Sequence, residues 1–325
     1  MSYFALKEVR LGLLVTTLLF FLIQSPSQSQ ENESLNLLLE EASKELTYFN
    51  FDLAYKLYGK AVSEADAPGS DTWLQVRFGL ALAAQHRSPA TRALIDEAIE
   101  NYQSIADQSP DSPFAARSVL NLGRIDEIRD YLGDEIDLEG AREHYRQVFE
   151  NWPDQDIADQ AALFYATTYF QDFKDLDGVN TGLEFLEGWI TSRDDRAGAS
   201  MIWEVMGQVR YHHLRDYAGA VRCFIKADDL GLTDPNGAGI LYWQIGQTAQ
   251  QQLNDLPTAI HYYKKIITDA PRSGRAFNAQ LALEDLQAKQ PGLNIEIPEV
   301  KLFLAKPEEV LDDASDTASS TGDTS

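Results

Sequence analysis

The stretch "AIHYYKKIITDAP" (Ala259–Pro271) places a tyrosine four residues after its alanine, an isoleucine seven after it and a proline twelve after it. Offsets of four and seven lie on one face of an α-helix. The small alanine lets a second helix approach closely, and the tyrosine fills the space between the two helices. Because proline cannot continue a helix, it sets where the helix stops. The stretch therefore predicts one half of a packed helical pair.

The same spacing recurs along the chain, so it marks an internal repeat. Further full copies begin at Ala98 and Ala141. Copies that lack the proline twelve residues on begin at Ala54 and Ala220, and a degenerate copy begins at Gly182. A segment that ends on a small residue precedes the copies and supplies a partner helix; Gly207 and Gly246 both stand 13 residues before the alanine of their copies. A single helical pair cannot bury its apolar face, whereas stacked pairs can. The repeats therefore predict a helical array.

These residues resemble the tetratricopeptide repeat (TPR), whose first helix carries an aromatic residue and a Leu-Gly pair and whose second carries Ala, an aromatic, Ala and Pro. The resemblance covers residues 35–290 and implies an all-α, right-handed superhelical solenoid of about six TPR-like repeats with a capping helix over 274–288. The copies lie 38 to 44 residues apart instead of the family's roughly 34, so we expect irregular repeats. Segments Tyr102–Ala115 and Tyr262–Ala276 are similar to repeats of bacterial periplasmic members, the Tol–Pal coordinator and outer-membrane-assembly proteins.

Residues 1–29 have the pattern of an export signal. Lys7 and Arg10 precede an apolar run over 11–23, and Ser27 and Ser29 stand at suitable positions for cleavage. A membrane span needs about 20 apolar residues, which is longer than this run. The pattern predicts cleavage and a periplasmic or otherwise exported mature chain that is not inserted in a membrane. The alternative of an inner-membrane anchor at residues 11–23 stays open.

The chain changes character on both sides of the array. Residues 30–34 are predicted to be a linker before the array, and 291–306 an extended segment after it, in which Leu293, Ile295 and Ile297 alternate with polar residues. Packing on the last repeat, disorder and a partner-binding strand are the alternatives for that segment. Residues 307–325 hold six acidic residues with no basic or aromatic residue, which predicts a disordered acidic tail.

The charge of the chain limits its partners. Acidic residues outnumber basic ones 51 to 27, for a net charge of −24. This argues against binding nucleic acid, which requires a basic footprint, and favours a protein partner with a basic site. Cys223 is the single cysteine, so no intrachain disulfide forms, and we expect its thiol to be buried.

No catalytic or metal-binding motif is found in the sequence. Adjacent histidines on a helix point about 100° apart, so His212 and His213 form a poor chelate. Carboxylate pairs such as Glu40-Glu41, Asp194-Asp195 and Asp228-Asp229 are predicted to be solvated surface. We therefore expect no enzymatic activity, no cofactor and no metal.

The resemblance to TPR proteins implies a concave wall lined by first helices. The groove-facing candidates that follow from it are Arg124, Glu127, Tyr211, His212, Trp243 and Gln247. For Trp243 the alternative is that it fills the gap between helices in place of Tyr242. The prediction is an exported scaffold that binds an extended segment or helix of another protein. Two alternatives stay open: a structural, self-associating factor in envelope assembly or division, which implies a homo-oligomer, and a glycan- or small-molecule-binding protein that stacks sugars on Trp243 and Tyr211.

Overall fold

The structure is a computed structural model that describes residues 33–300 except 65–67, 173, 194–197, 233 and 235–236. The export signal and the acidic tail predicted at the two ends lie outside the described residues, as do Asp194 and Asp195. The first helix begins at Glu33, two residues inside the predicted linker 30–34. Over the described part of the chain, no helix has the length and apolar character that crossing a membrane requires.

The described residues form helices and no strands, which confirms the all-α prediction. The helices are α1 (Glu33–Thr47), α2 (Phe51–Ala61), α3 (Asp71–His86), α4 (Arg92–Gln108), α5 (Pro113–Glu127), α6 (Leu138–Asn151), α7 (Asp156–Tyr169), α8 (Leu176–Ile190), α9 (Ala199–Val209), α10 (Tyr217–Leu230), α11 (Ala238–Gln251), α12 (Leu256–Asp269) and α13 (Ala276–Lys289). A π-helical turn (Arg210–Leu214) follows α9, and a 3-10 turn (Pro291–Leu293) follows α13.

The chain divides into two compact units, although the sequence predicts one array over 35–290. The first unit comprises the described residues up to Ile202 together with 212–214, and the second comprises 203–211 and the described residues from Arg215 onward. Within the first unit each of α1 to α8 packs on the next, and within the second each of α10 to α13 does so. In the first unit α1, α3, α5 and α7 also contact one another in turn. This succession is typical of an all-α repeat-like fold.

The face predicted from the repeat spacing is buried. Tyr58, Tyr102, Tyr145, Phe224 and Tyr263, the aromatic residues of the five clear copies, are each at most 2% exposed. The alanine that opens each of these copies is fully buried, as is Leu186 in the degenerate copy. Cys223 is also buried, as expected. The repeated phrase is therefore the core of the protein, which agrees with its offsets of four and seven.

Glycines on the partner helices admit these aromatic rings. A Cβ atom at Gly207 would lie 2.4 Å from the ring of Phe224, and one at Gly246 would lie 2.7 Å from that of Tyr263. Both distances are too short for non-bonded carbon atoms, so the ring packs directly on the helix backbone. In the first copy the order is reversed, because Gly79 on α3 meets Tyr58 of the preceding helix.

The ends of the second helices follow the sequence closely. Helices α4, α6 and α12 each end two residues before Pro110, Pro153 and Pro271 respectively, because the residue before a proline is pushed out of the helical conformation. At the other end an aspartate caps the helix. The capping side chains that accept backbone N–H groups of the first turn are Asp137 for α6, Asp175 for α8, Asp216 for α10 and Asp255 for α12.

The segment after α13 packs on the second unit. Ile295, Ile297 and Val300 are partly buried against its hydrophobic cluster. The backbone N–H of Ile295 donates to Gln287 Oε1 at 2.5 Å. Of the three alternatives for residues 291–306, the described part favours packing on the last helices, and residues 301–306 lie outside the described range.

Candidate functional site

Two of the predicted partner-binding residues lie in the interior of the first unit. The side chains of Arg124 and Glu127 are 8% and 0% exposed, and Arg124 Nη1 donates to Glu127 Oε2 at 2.5 Å. The same carboxylate accepts from the Tyr145 hydroxyl at 2.8 Å and from Gln171 Nε2 at 3.1 Å. The guanidinium of Arg124 lies 4.5 Å from the ring centroid of Phe164.

This placement differs from the expectation of an open groove at Arg124 and Glu127. The two charges neutralise each other, and the buried hydroxyl of the repeat residue Tyr145 donates a hydrogen bond to the carboxylate of Glu127. Taking one partner away from such a pair leaves a buried charge without compensation, which is costly. A binding partner could reach these two side chains only by displacing this network.

Two titratable groups near Arg124 are perturbed. Burial, together with the positive charge of Arg124, lowers the pKa of His86 to about 4. Burial and the charge of Asp134 raise the pKa of Asp130 to about 6, against an opposing effect of Arg124. His86 is therefore neutral at neutral pH, and both His86 and Asp130 are partly buried near the ends of α3 and α5.

The other four predicted residues are divided between the two units. His212 belongs to the first and is exposed in the π-helical turn. Tyr211, Trp243 and Gln247 belong to the second. Tyr211 packs partly against the core of that unit, with its ring centroid 5.4 Å from that of Tyr217. Within the described residues, no group of three or more histidine, cysteine or acidic side chains is placed to hold a metal ion.

Trp243 and Gln247 lie one turn apart on α11, and both are partly buried. The ring centroid of Trp243 is 5.4 Å from that of Tyr263, and the guanidinium of Arg275 lies 5.6 Å above the indole. Tyr242 is only 6% exposed, so Tyr242 keeps the interior position and Trp243 does not replace it. A role of this face in binding a partner stays a prediction.

Asp228 departs from the prediction of a solvated carboxylate. Its side chain is 4% exposed. Oδ1 accepts from the Tyr242 hydroxyl at 2.8 Å, and Oδ2 accepts from the Tyr262 hydroxyl at 3.0 Å and from Lys265 Nζ. Burial and the Asp228 charge raise the pKa of both tyrosines. The next residue, Asp229, is exposed as predicted.

A cleft of about 290 Å³ lies beside this cluster, between α10 and α12. Its lining residues are Ile225, Asp228, Asp229, Pro257, Thr258, His261, Tyr262 and Lys265. The charge of Asp228 is already neutralised by Lys265, and Thr258 Oγ1 is held by Asp255 Oδ2 at 2.7 Å. The polar groups of the cluster serve to tie α10, α11 and α12 together, so the cleft offers a weak basis for a ligand site.

A partly exposed aromatic cluster crosses α6, α7 and α8 of the first unit. We call it the aromatic–arginine surface; it consists of Arg142, Arg146 and Phe149 on α6, Tyr165 and Tyr169 on α7, Phe185 and Trp189 on α8, and Arg193 just after α8. The ring centroid of Phe149 lies 5.6 Å from that of Tyr165, 5.4 Å from that of Phe185 and 5.3 Å from that of Trp189. These separations are those of attractive aromatic pairs.

Each arginine of this surface lies over one of its rings. The guanidinium of Arg142 is 4.1 Å from the ring centroid of Tyr169, that of Arg146 is 5.7 Å from Tyr165, and that of Arg193 is 3.8 Å from Trp189. Cations over aromatic faces within about 6 Å are stabilised by the ring quadrupole. The three cations therefore hold defined positions on the surface.

The phenol of Tyr165 reports the local charge. Its hydroxyl lies 3.2 Å from that of Tyr169. Burial opposes ionisation of Tyr165, but the hydrogen bonds with Tyr169 and Arg146 and the positive charges of Arg146 and Arg142 outweigh it and lower its pKa. The pKa of Tyr169 is raised, by burial first and then by its contact with Tyr165. Two arginines thus set the local charge around the Tyr165 hydroxyl, in a chain that is strongly acidic overall.

The sequence carries a signal for this surface that is separate from the repeat spacing. Arg142 and Arg146, Tyr165 and Tyr169, and Phe185 and Trp189 are pairs spaced by four residues, so each pair lies on one helical face. The resemblance to TPR proteins instead implies a partner site on first helices, whereas most of the surface lies on the second helices α6 and α8. That the three faces meet follows only from the packing of the helices.

The comparisons with known proteins leave the class of this protein open. No protein-family model matches the chain, and no curated protein matches it. The resemblance to TPR proteins therefore stays a proposal that rests on the repeat spacing.

Proposed function

We propose that this chain is a scaffold that binds another protein, without catalysis, through the aromatic–arginine surface. The observation that carries the proposal is the concentration of three arginines and four partly exposed aromatic rings on adjoining faces of three helices. Tryptophan, tyrosine and arginine are the residues that most often supply the binding energy of protein interfaces. Because the rings keep partial exposure, a partner can still remove apolar area from water.

Hydrogen bonds hold two side chains of the surface in place before any partner arrives. The indole N–H of Trp189 donates to Asp159 Oδ1 at 2.9 Å, and Arg142 Nε donates to Thr168 Oγ1 at 2.7 Å. Both acceptors lie on α7 and are buried. Side chains fixed in this way lose little conformational entropy on binding, which favours affinity.

The proposal includes the wider setting predicted from the sequence. A TPR-like solenoid is supported by the repeat spacing and by the packing of helices in succession, and export is supported by the pattern of residues 1–29. Proteins built from stacked helical pairs present extended surfaces, and a surface that spans three helices fits that mode of binding.

Site-specific crosslinking in native cells tests the proposal. A photoreactive phenylalanine analogue replaces Phe185 or Trp189, and the matched control carries the same group at Leu37, which is 61% exposed on α1 of the same unit. We expect a crosslinked product of defined mass from positions 185 and 189 but not from position 37. A product of twice the mass of the chain would support the self-associating alternative, and equal yields at all three positions would contradict the proposal.

A further inference from the structure

The carboxylates recorded on the aromatic–arginine surface are taken up by other groups than two of its arginines: Asp159 accepts from the Trp189 indole, and Glu143 pairs with Arg146. Among the described residues, Arg142 and Arg193 have no carboxylate partner, although acidic residues outnumber basic ones 51 to 27 in the chain. Arg146 pairs with Glu143 at 2.5 Å, but the two side chains are 40% and 70% exposed. Exposed pairs of this kind contribute little and exchange readily with another carboxylate. The surface therefore has unused capacity for negative charge.

The stacked geometry leaves some N–H donors of these guanidinium groups free to bind a carboxylate. When a guanidinium lies over a ring, its faces are covered but its N–H edges remain in plane and can donate. Arg142 uses Nε for Thr168, and Arg193 Nε is buried, so the donors left on both side chains are Nη groups. Within the described residues Arg193 Nη1 makes a long contact to Ser192 Oγ at 3.5 Å. Such edges match a carboxylate, which accepts two parallel hydrogen bonds.

Apolar area lies between the cations. The ring of Phe185 is 4.6 Å from that of Tyr165 and nearly parallel to that of Trp189, with centroids 6.4 Å apart. A succession of contacts runs from Arg142 over Tyr169, through Tyr165 and Phe185, to Trp189 and the Arg193 above it. A ligand that spans the surface thus meets positive charge, aromatic rings and positive charge in turn.

We infer that the aromatic–arginine surface binds a peptide segment in which aspartate or glutamate alternates with apolar side chains. This inference rests on the proposed function and names the chemistry of its partner. A lysine or arginine on the same surface would face like charges that already occupy the rings, and close like charges suppress wrong partners. The surface is therefore expected to bind an acidic partner, whereas the net negative charge of the whole chain predicts a basic one.

Selection from a random peptide library tests the inference. A displayed library of random 12-residue peptides is selected against the full mature chain, and the selected peptides are then measured against variants. We expect enrichment of acidic peptides with aromatic or aliphatic residues. Their Kd should rise at least about tenfold with Arg142→Gln and Arg193→Gln combined, as loss of charge-assisted hydrogen bonds implies.

The controls separate charge from folding. Arg77→Gln is matched in chemistry, because Arg77 also lies over an indole, 5.8 Å from Trp73, but on α3 of the same unit; we expect less than a twofold change. Arg142→Lys combined with Arg193→Lys keeps the positive charge but loses the planar guanidinium with its parallel N–H donors. We therefore expect a Kd between those of the wild type and the double glutamine variant. Thermal unfolding of each variant shows that it is folded.

The outcomes distinguish the inference from the function on which it rests. Enriched peptides that are basic or uncharged, and that lose binding with Trp189→Ala, would overturn the inference and keep the surface as a binding site. Acidic peptides that are insensitive to the arginine variants would also overturn it. If no selected peptide depends on Trp189, both the inference and the proposed surface are wrong.

Discussion

The ring of Tyr145 lies directly on the backbone of Gly123: a Cβ atom at position 123 would be 2.6 Å from the ring. The phenol is fully buried, and its hydroxyl donates to Glu127 one turn further along α5. One tyrosine therefore joins the close approach of α5 and α6 to the buried ion pair beside it.

We expect Gly123→Ala to destabilise the protein by about 1–3 kcal/mol, because the added methyl group overpacks the contact with Tyr145. Gly188→Ala is the control: Gly188 is also helical, but no atom lies within 4 Å of its Cβ position. There alanine should stabilise the helix by up to about 1 kcal/mol. Urea unfolding measures both, and equal effects of the two substitutions would contradict the packing argument.

Asp228→Asn should lower the free energy of unfolding by about 1–3 kcal/mol, because it leaves the Lys265 ammonium without its counter-charge beside two buried hydroxyls. Asp229→Asn changes the neighbouring, exposed carboxylate and should stay within about 0.5 kcal/mol of the wild type. Chemical unfolding of the two variants checks the difference. If both behaved alike, Asp228 would be solvated, as the sequence predicts.

Asp175→Ala removes the side chain that accepts from the Gly178 N–H at 2.9 Å at the start of α8. Loss of such a cap costs about 1 kcal/mol. Asp177→Ala, two residues later in the same turn, removes an equal charge without removing a cap. The melting temperature of Asp175→Ala should therefore fall below that of Asp177→Ala, and the reverse order would show that helix-dipole charge outweighs capping.

His86 should make the protein sensitive to acid. Its pKa is about 4 in the folded state and 6.5 as the ordinary value, so the unfolded chain takes up the proton first as the pH falls. The stability from the neutral, partly buried imidazole is complete above pH 6.5 and is lost between pH 6.5 and 4.

His86→Phe removes this proton uptake, and Phe51 lies 5.3 Å away to pack on the new ring. Relative to the variant, the free energy of unfolding of the wild type should fall by up to about 1.4 kcal/mol per pH unit between pH 6.5 and pH 4. Urea unfolding at several pH values measures the difference. Above pH 7 the two stability curves should run parallel, whereas parallel curves throughout would mean that folding leaves the pKa of His86 unchanged.

The sequence by itself determined the helices and the residues in their core. The spacing of Ala259, Tyr263 and Ile266 is a property of one helix, so a period of 3.6 residues is enough to predict which face is buried. The stop before Pro271 is equally local, because the proline ring acts on the residue next to it. A burial pattern of this kind needs no knowledge of the neighbouring helix.

The tertiary structure alone decided which polar and aromatic side chains meet. Arg124 and Glu127 are buried because Tyr145 reaches them from α6, and Asp228 is buried because Tyr262 and Lys265 reach it from α12. The aromatic–arginine surface likewise needs three helix faces at a definite separation and rotation. Those quantities depend on how side chains interlock between helices, which the period of a single helix does not contain.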